Sequence, residues 1–194
     1  MNNCFENFLK FFGEGKTKIE GAETVLNFTK SFSGKEFADG VFKVFIKEDI
    51  IKWNNTTLEM FPDFEIEFIL FGYDWLGRFY ATNKLENIIY VFDPSTNDVL
   101  ELEDKFANFI NETLPQNAND ILAVKLYKKW LRKNTKPSYA SCIGYKVPLF
   151  LGGKDNMSNY EESDLEVYWS LSAQIISQIK NQADGTIIDS LSIK

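Results

Sequence analysis

Between Val41 and Leu102 the chain repeats one pattern: short β-branched and aromatic runs broken by Gly, Pro, Asn and Asp. Runs of that length, bounded by turn residues, predict β-strands joined by tight turns. Val41–Ile46 is the first. Glu65–Phe71 is the next, with Glu65 and Glu67 alternating with Ile66 and Phe68 so that one face is polar and the other apolar. Asp74-Trp-Leu-Gly77 is a tight turn in which Gly77 can take positive φ, and Arg78–Thr82 returns from it. Asn87–Phe92 follows, and Asp93-Pro-Ser-Thr-Asn-Asp98 turns into Val99–Leu102. Sequential strands with short connections pair as an antiparallel meander. The stretch through Asn54-Asn55 and Phe61-Pro62-Asp63 reads as a loop.

Helical spacing flanks the meander. Phe5, Phe8, Leu9 and Phe12 fall on one helical face ahead of Gly13 and Gly15, and Val25, Phe28, Thr29 and Phe32 on another ahead of Ser33-Gly34. After the strands, Phe106, Phe109 and Ile110 predict a helix closed by Leu114-Pro115. Leu122, Leu126 and Trp130 predict a second helix over Asn119–Lys133, whose basic end suits the negative pole of its dipole. Val147–Leu151 reads as a loop or edge strand. Ser158-Asn-Tyr-Glu161 has the form of a capping box, predicting a helix that buries Leu165, Tyr168, Trp169, Ser172, Ile175, Ile176 and Ile179 and stops before Gly185. The expected fold class is α+β, an antiparallel meander sheet flanked by N-terminal and C-terminal helices. With 194 residues and 44% hydrophobic content, one domain over 1–194 is expected. The alternative is a sub-division at Leu114–Asn119 into 1–114 and 115–194.

Catalytic chemistry is hard to find. Gly152-Gly-Lys-Asp155 looks like the end of a phosphate loop, but Pro148 stands where the first glycine belongs, and Asp155 stands where Mg²⁺ needs a hydroxyl. The chain has no histidine, which removes Ser-His and Cys-His activation and the commonest metal ligand and general base. Cys4 and Cys142 are too few for a disulfide framework or a zinc site and read as reduced thiols. Carboxylate pairs arise by chance among 28 acidic residues. No metal or cofactor is expected, and no enzyme. The start lacks a secretory signal and no run of about 18 apolar residues spans a membrane, so a cytoplasmic protein is expected.

A net charge of −7 opposes nucleic-acid binding and favours a basic partner. Glu48–Asp74 carries seven acidic residues against Lys52 alone, and Lys125–Lys136 carries six basic residues unopposed. Each run reads either as a solvated face or as a docking surface.

Four phrases sit on these elements: Phe71-Gly-Tyr-Asp-Trp-Leu-Gly-Arg-Phe-Tyr80, Phe92-Asp-Pro-Ser-Thr-Asn-Asp-Val-Leu100, Cys142-Ile-Gly-Tyr-Lys-Val-Pro-Leu-Phe-Leu-Gly-Gly-Lys-Asp155 and Asp164-Leu-Glu-Val-Tyr-Trp169. In this order they resemble the GAD-like and DUF1851 family, whose characterised member is the immunity protein to a type VI secretion DNase effector. The resemblance covers Asp39 to Gln178, and in plan the family is similar to SMI1/KNR4-like immunity proteins. It implies a non-catalytic role: binding and neutralising a cognate protein toxin, basic in charge. The partner-contact residues expected on this reading are Asp63, Glu65, Glu67, Asp74, Trp75 and Arg78. Trp75 has packing of its own hairpin as the competing role, and Arg78 has a local pair with Asp74. Two readings stand against it: a small nucleotide- or anion-binding protein or enzyme using Lys154 in the Gly152-Gly153 loop, and a scaffolding protein docking through its basic run.

Overall fold

A computed structural model describes residues 3–180 and 182. The expected α+β architecture is present. Two short helices, α1 (Glu6–Phe11) and α2 (Val25–Ser31), precede strands β1 (Glu36–Phe37) and β2 (Phe42–Val44). Helix α3 (Ile50–Met60) leads into the meander of β3 (Phe68–Asp74), β4 (Phe79–Asn83), β5 (Ile89–Asp93) and β6 (Asp98–Leu102). These six strands form one antiparallel sheet in chain order.

Side-chain alternation explains why the sheet carries helices on both faces. Tyr80, Ile89 and Val91 point into one core, shared with α1, α2 and the helices after the sheet. Phe79, Ala81, Tyr90 and Phe92 point into a second core, shared with α3 and the C-terminal helix. Phenylalanines fasten the N-terminal helices to the first face: Phe8 meets Phe37 at 4.8 Å, and Phe28 meets Phe106 at 5.6 Å, both edge to face.

Five expectations need correction. The stretch before β3 is not a loop. Ile50–Met60 is helical although Asn54-Asn55 and several β-branched residues disfavour helix, because Ile50, Trp53, Thr57 and Met60 lie on one face that packs into the second core. Strand β3 begins at Phe68, which leaves Glu65 and Glu67 in the connection ahead of it. Pro115 does not close the helix at Phe106: α4 (Phe106–Asn108) runs through a widened π-turn, Phe109–Thr113, into α5 (Leu114–Gln116). A π-turn inside a helix alters the hydrogen-bond ladder, which suits a residue without an N–H.

The helix expected over Asn119–Lys133 is two helices, α6 (Ala118–Leu122) and α7 (Val124–Leu131), separated by Ala123 in the left-handed region at φ 48°. Last, β7 (Ser141–Tyr145) pairs with β8 (Tyr160–Asp164) as a separate hairpin, so Glu161 belongs to a strand opposite Gly144. The capping box is therefore not made: Ser158 donates its N–H and hydroxyl to the Asn156 side chain. Helix α8 (Leu165–Ile179) starts later, with the Asp164 carboxylate accepting from the N–H groups of Glu166 and Val167 at 3.0 Å each. Leu165, Tyr168, Trp169, Ser172 and Ile175 are buried as expected, with Ile176 and Ile179 partly so. Gly185 lies outside the described residues.

Candidate functional site

The turn between β3 and β4 was expected to present Asp74, Trp75 and Arg78 to a partner, and the structure puts it inside the molecule. Gly77 has the expected positive φ of 78°. Asp74 and Trp75 are fully buried. The Asp74 carboxylate accepts from the N–H groups of Leu76 and Arg78, from Arg78 Nε at 2.7 Å and from the Tyr80 hydroxyl at 3.1 Å. Arg78 Nη2 also reaches Asp74 at 2.5 Å and donates to the Ile121 carbonyl at 2.6 Å. Trp75 Nε1 donates to the Leu122 carbonyl at 2.7 Å, and the Ile143 N–H donates to the Trp75 carbonyl.

The break at Ala123 supplies those acceptors. Ending α6 there leaves the carbonyls of Ile121 and Leu122 without helical partners, at the negative end of the helix, where a guanidinium and an indole N–H satisfy them. Asp74, Trp75 and Arg78 thus form a polar hub joining the meander to the helical part of the chain. They have little or no surface to offer a partner, and what they do is fix the relation between the two parts.

Asp63, Glu65 and Glu67 are exposed, on the connection between α3 and β3. Exposed apolar side chains sit among them: Ile66 is 45% exposed and Leu58 of α3 is 40% exposed. Glu67 pairs with Lys84, while Glu59, Asp63 and Glu65 make no ion pair among the described residues. Glu48 is exposed as well, and of the expected acidic run only Asp74 is fully buried. The opposing basic run is the solvent side of α7 and the segment after it, with Lys136 paired to Glu36.

A cleft of about 320 Å³ opens beside this acidic connection. Phe61 and Phe64 lie against its inner side, held on the sheet by Phe92 at 5.3 and 5.0 Å. Val99, Ala173 and Ile176 are among its other apolar lining residues, and Glu59, Asp63, Asn97 and Lys180 among its polar ones. Neither α3 nor the cleft was foreseen. The signal available was the i, i+3, i+7, i+10 spacing of Ile50, Trp53, Thr57 and Met60.

The Gly152-Gly153 loop is closed by its own backbone. The Gly152 and Gly153 N–H groups donate to the carbonyls of Leu149 and Pro148, and a Cβ at Gly153 would lie 1.9 Å from the Val147 carbonyl oxygen. Those amides are therefore not available to cradle an anion. Lys154 is exposed, and Asp155 beside it accepts from the hydroxyls of Tyr145 and Tyr160 at 2.9 and 2.5 Å. The glycines serve close backbone approach, and Asp155 ties the loop to the hairpin.

Buried titratable groups are concentrated around the hub and β7. Burial pulls the Lys43 ammonium down to about 8, and Lys43 Nζ donates to the carbonyls of Ser138 and Ser141 at 2.6 and 2.7 Å. Burial pushes the hydroxyls of Tyr73, Tyr80, Tyr145 and Tyr168 and the Cys142 thiol well above their ordinary values. An acid with a raised folded-state pKa stabilises the fold fully below its unfolded value and loses that contribution as pH rises. Lys43, shifted down, acts in the opposite sense, relieving its penalty between about 8 and 10.5. Stability is therefore expected to fall steeply above about pH 10, where tyrosines ionise in the unfolded chain. Circular dichroism should be lost in the same cooperative step in which the buried tyrosines ionise. Complete tyrosinate absorbance with unchanged circular dichroism would refute this.

Among the described residues no helix is long and apolar enough to cross a membrane, and no group of three or more His, Cys, Asp and Glu could hold a metal. Residues 102–176 match the family model described as T6SS immunity protein Tdi1, C-terminal. That segment runs from the end of β6 into α8 and includes α6, α7 and the β7–β8 hairpin. No curated protein matches the chain. Among solved structures, the crystal structure of Atu4351 from Agrobacterium tumefaciens is similar in fold, with a TM-score of 0.61 and 16% sequence identity over 88% of each chain. The type VI secretion part of the expected resemblance thus has a counterpart in the matched family; GAD-like, DUF1851 and SMI1/KNR4-like remain names drawn from the sequence phrases.

Proposed function

We propose that this protein is a toxin-neutralising immunity protein of a type VI secretion system, acting by binding a cognate toxin and not by catalysis. The observation that carries the reading is the match of residues 102–176 to the Tdi1 C-terminal family. Its action lies in the cytoplasm of the producing cell, and the toxin is basic on its contact face. Asp63, Glu65 and Glu67 take the contact role expected of them, because they are exposed beside apolar Ile66 and Leu58. Carboxylates on that face speed encounter with a basic protein, and neighbouring apolar groups slow its release.

The test is to purify the protein with the toxin domain encoded beside its gene. A stable complex and loss of toxicity on co-expression are expected, and full toxicity on co-expression would sink the reading. Within such a complex, reversing Glu65 and Glu67 to lysine is expected to slow association and weaken its dependence on salt. An unchanged association rate would move the contact away from this face.

A further inference from the structure

We propose that the cleft between α8 and residues 59–64, the end of α3 and the chain after it, receives an arginine side chain, flanked by apolar residues, from the protein partner. The inference deepens the immunity reading, on which the partner's identity as a toxin rests. Three features of the cleft point to this occupant.

The first is shape and lining: a cleft of about 320 Å³ with Phe61, Phe64, Val99 and Ile176 along it offers apolar contact to a long side chain. Aromatic faces favour a planar, weakly hydrated guanidinium over a compact ammonium. The second is charge. Glu59 and Asp63 line the cleft and make no ion pair among the described residues, and Glu65 stands exposed next to Phe64. Among the described residues, Lys180 is the one cation lining it. The third is an acceptor without a donor: Asn97, in the wall, has a side-chain oxygen that takes no hydrogen bond among the described residues. A guanidinium brings five N–H donors and no acceptor, which matches two carboxylates and an unpaired amide oxygen. A carboxylate side chain would meet repulsion, and a purely apolar one would leave these acceptors desolvated.

Two probes test the proposal. The first is a blocked Leu-Arg-Phe peptide, titrated against the isotope-labelled full chain and followed by amide NMR shifts. Shifts concentrated at Phe61, Phe64, Asn97 and Ala173 are expected, together with about tenfold weaker binding when citrulline, equal in shape but neutral, replaces arginine. Equal binding of the two peptides, or shifts centred elsewhere, would overturn the proposal. Binding that appears only after residues 183–194 are deleted would assign the cleft to the chain's own terminus and would also overturn it. So would a dimer of this chain that Ala173→Trp dissolves.

The second probe is the toxin domain encoded beside the gene. Ala173→Trp, which fills the cleft, and Asp63→Lys, an exposed change that leaves packing alone, are each expected to weaken toxin binding at least about tenfold with circular dichroism unchanged. If both variants bind the toxin as tightly as the parent, the cleft assignment fails and the immunity reading stands. If the peptide binds the cleft while the parent protein ignores the toxin, the immunity reading fails and the arginine site stands.

Discussion

Replacing Asp74 by alanine is expected to lower the unfolding free energy by about 3–5 kcal/mol, a large share of the roughly 5–15 kcal/mol that holds an ordinary domain folded. The cause is what the substitution strands. Arg78 would keep its charge with the Ile121 carbonyl as its remaining side-chain hydrogen-bond acceptor and Asp93 as a neighbouring carboxylate that does not bond it. The N–H groups of Leu76 and Arg78 would lose their acceptor at the same time. Removing one partner of a buried pair costs more than the pair contributes, so the double variant Asp74→Ala with Arg78→Met should recover part of the loss. Asp74→Asn should fall between, since it keeps an acceptor and loses the charge. Urea denaturation followed by circular dichroism gives all three values. A loss below about 1 kcal/mol for Asp74→Ala, the range of exposed ion pairs, would mean that water reaches the pair and that the turn does not hold the two parts together.

Trp169→Ala has the next largest expected effect, again about 3–5 kcal/mol. The indole lies stacked on Phe79, with ring centroids 3.9 Å apart and planes 19° from parallel, and its Nε1 donates to the Gly77 carbonyl at 2.8 Å. Loss of the ring opens a cavity where α8 meets the sheet, and Gly77 loses its donor. Trp169→Phe keeps most of the packing and should cost nearer 1 kcal/mol for the missing hydrogen bond. Val167, two residues earlier and half exposed, should tolerate alanine within about 0.5 kcal/mol. Similar losses at 167 and 169 would mean that α8 does not dock on the sheet through this ring.

Both effects arise at the β3–β4 turn, which connects the Asp74 network to α6 and Gly77 to α8. This turn ties the segment that matches the immunity-family model, residues 102–176, to the meander. The exposed acidic connection and its cleft lie against α3 and α8, the helix that Gly77 anchors through Trp169.

Strand alternation and turn chemistry are local properties, and residues 68–102 display both. That is why the meander, the Gly77 turn and the Asp93–Asp98 turn were legible from residues alone, as were the buried positions of α8. The acidic character of the chain and the absence of histidine were legible too. Tertiary structure decided the rest, in each case because a distant group outcompeted a local one. Helix α3 forms over residues of poor helix propensity because its Ile50, Trp53 and Met60 face finds the second core. The capping box at Ser158 yields to pairing of Glu161 with Gly144 in a strand that no periodicity announced. Trp75 is buried where a turn residue is ordinarily exposed, because the carbonyls of Ile121 and Leu122, some 45 positions away in the chain, need its N–H and that of Arg78.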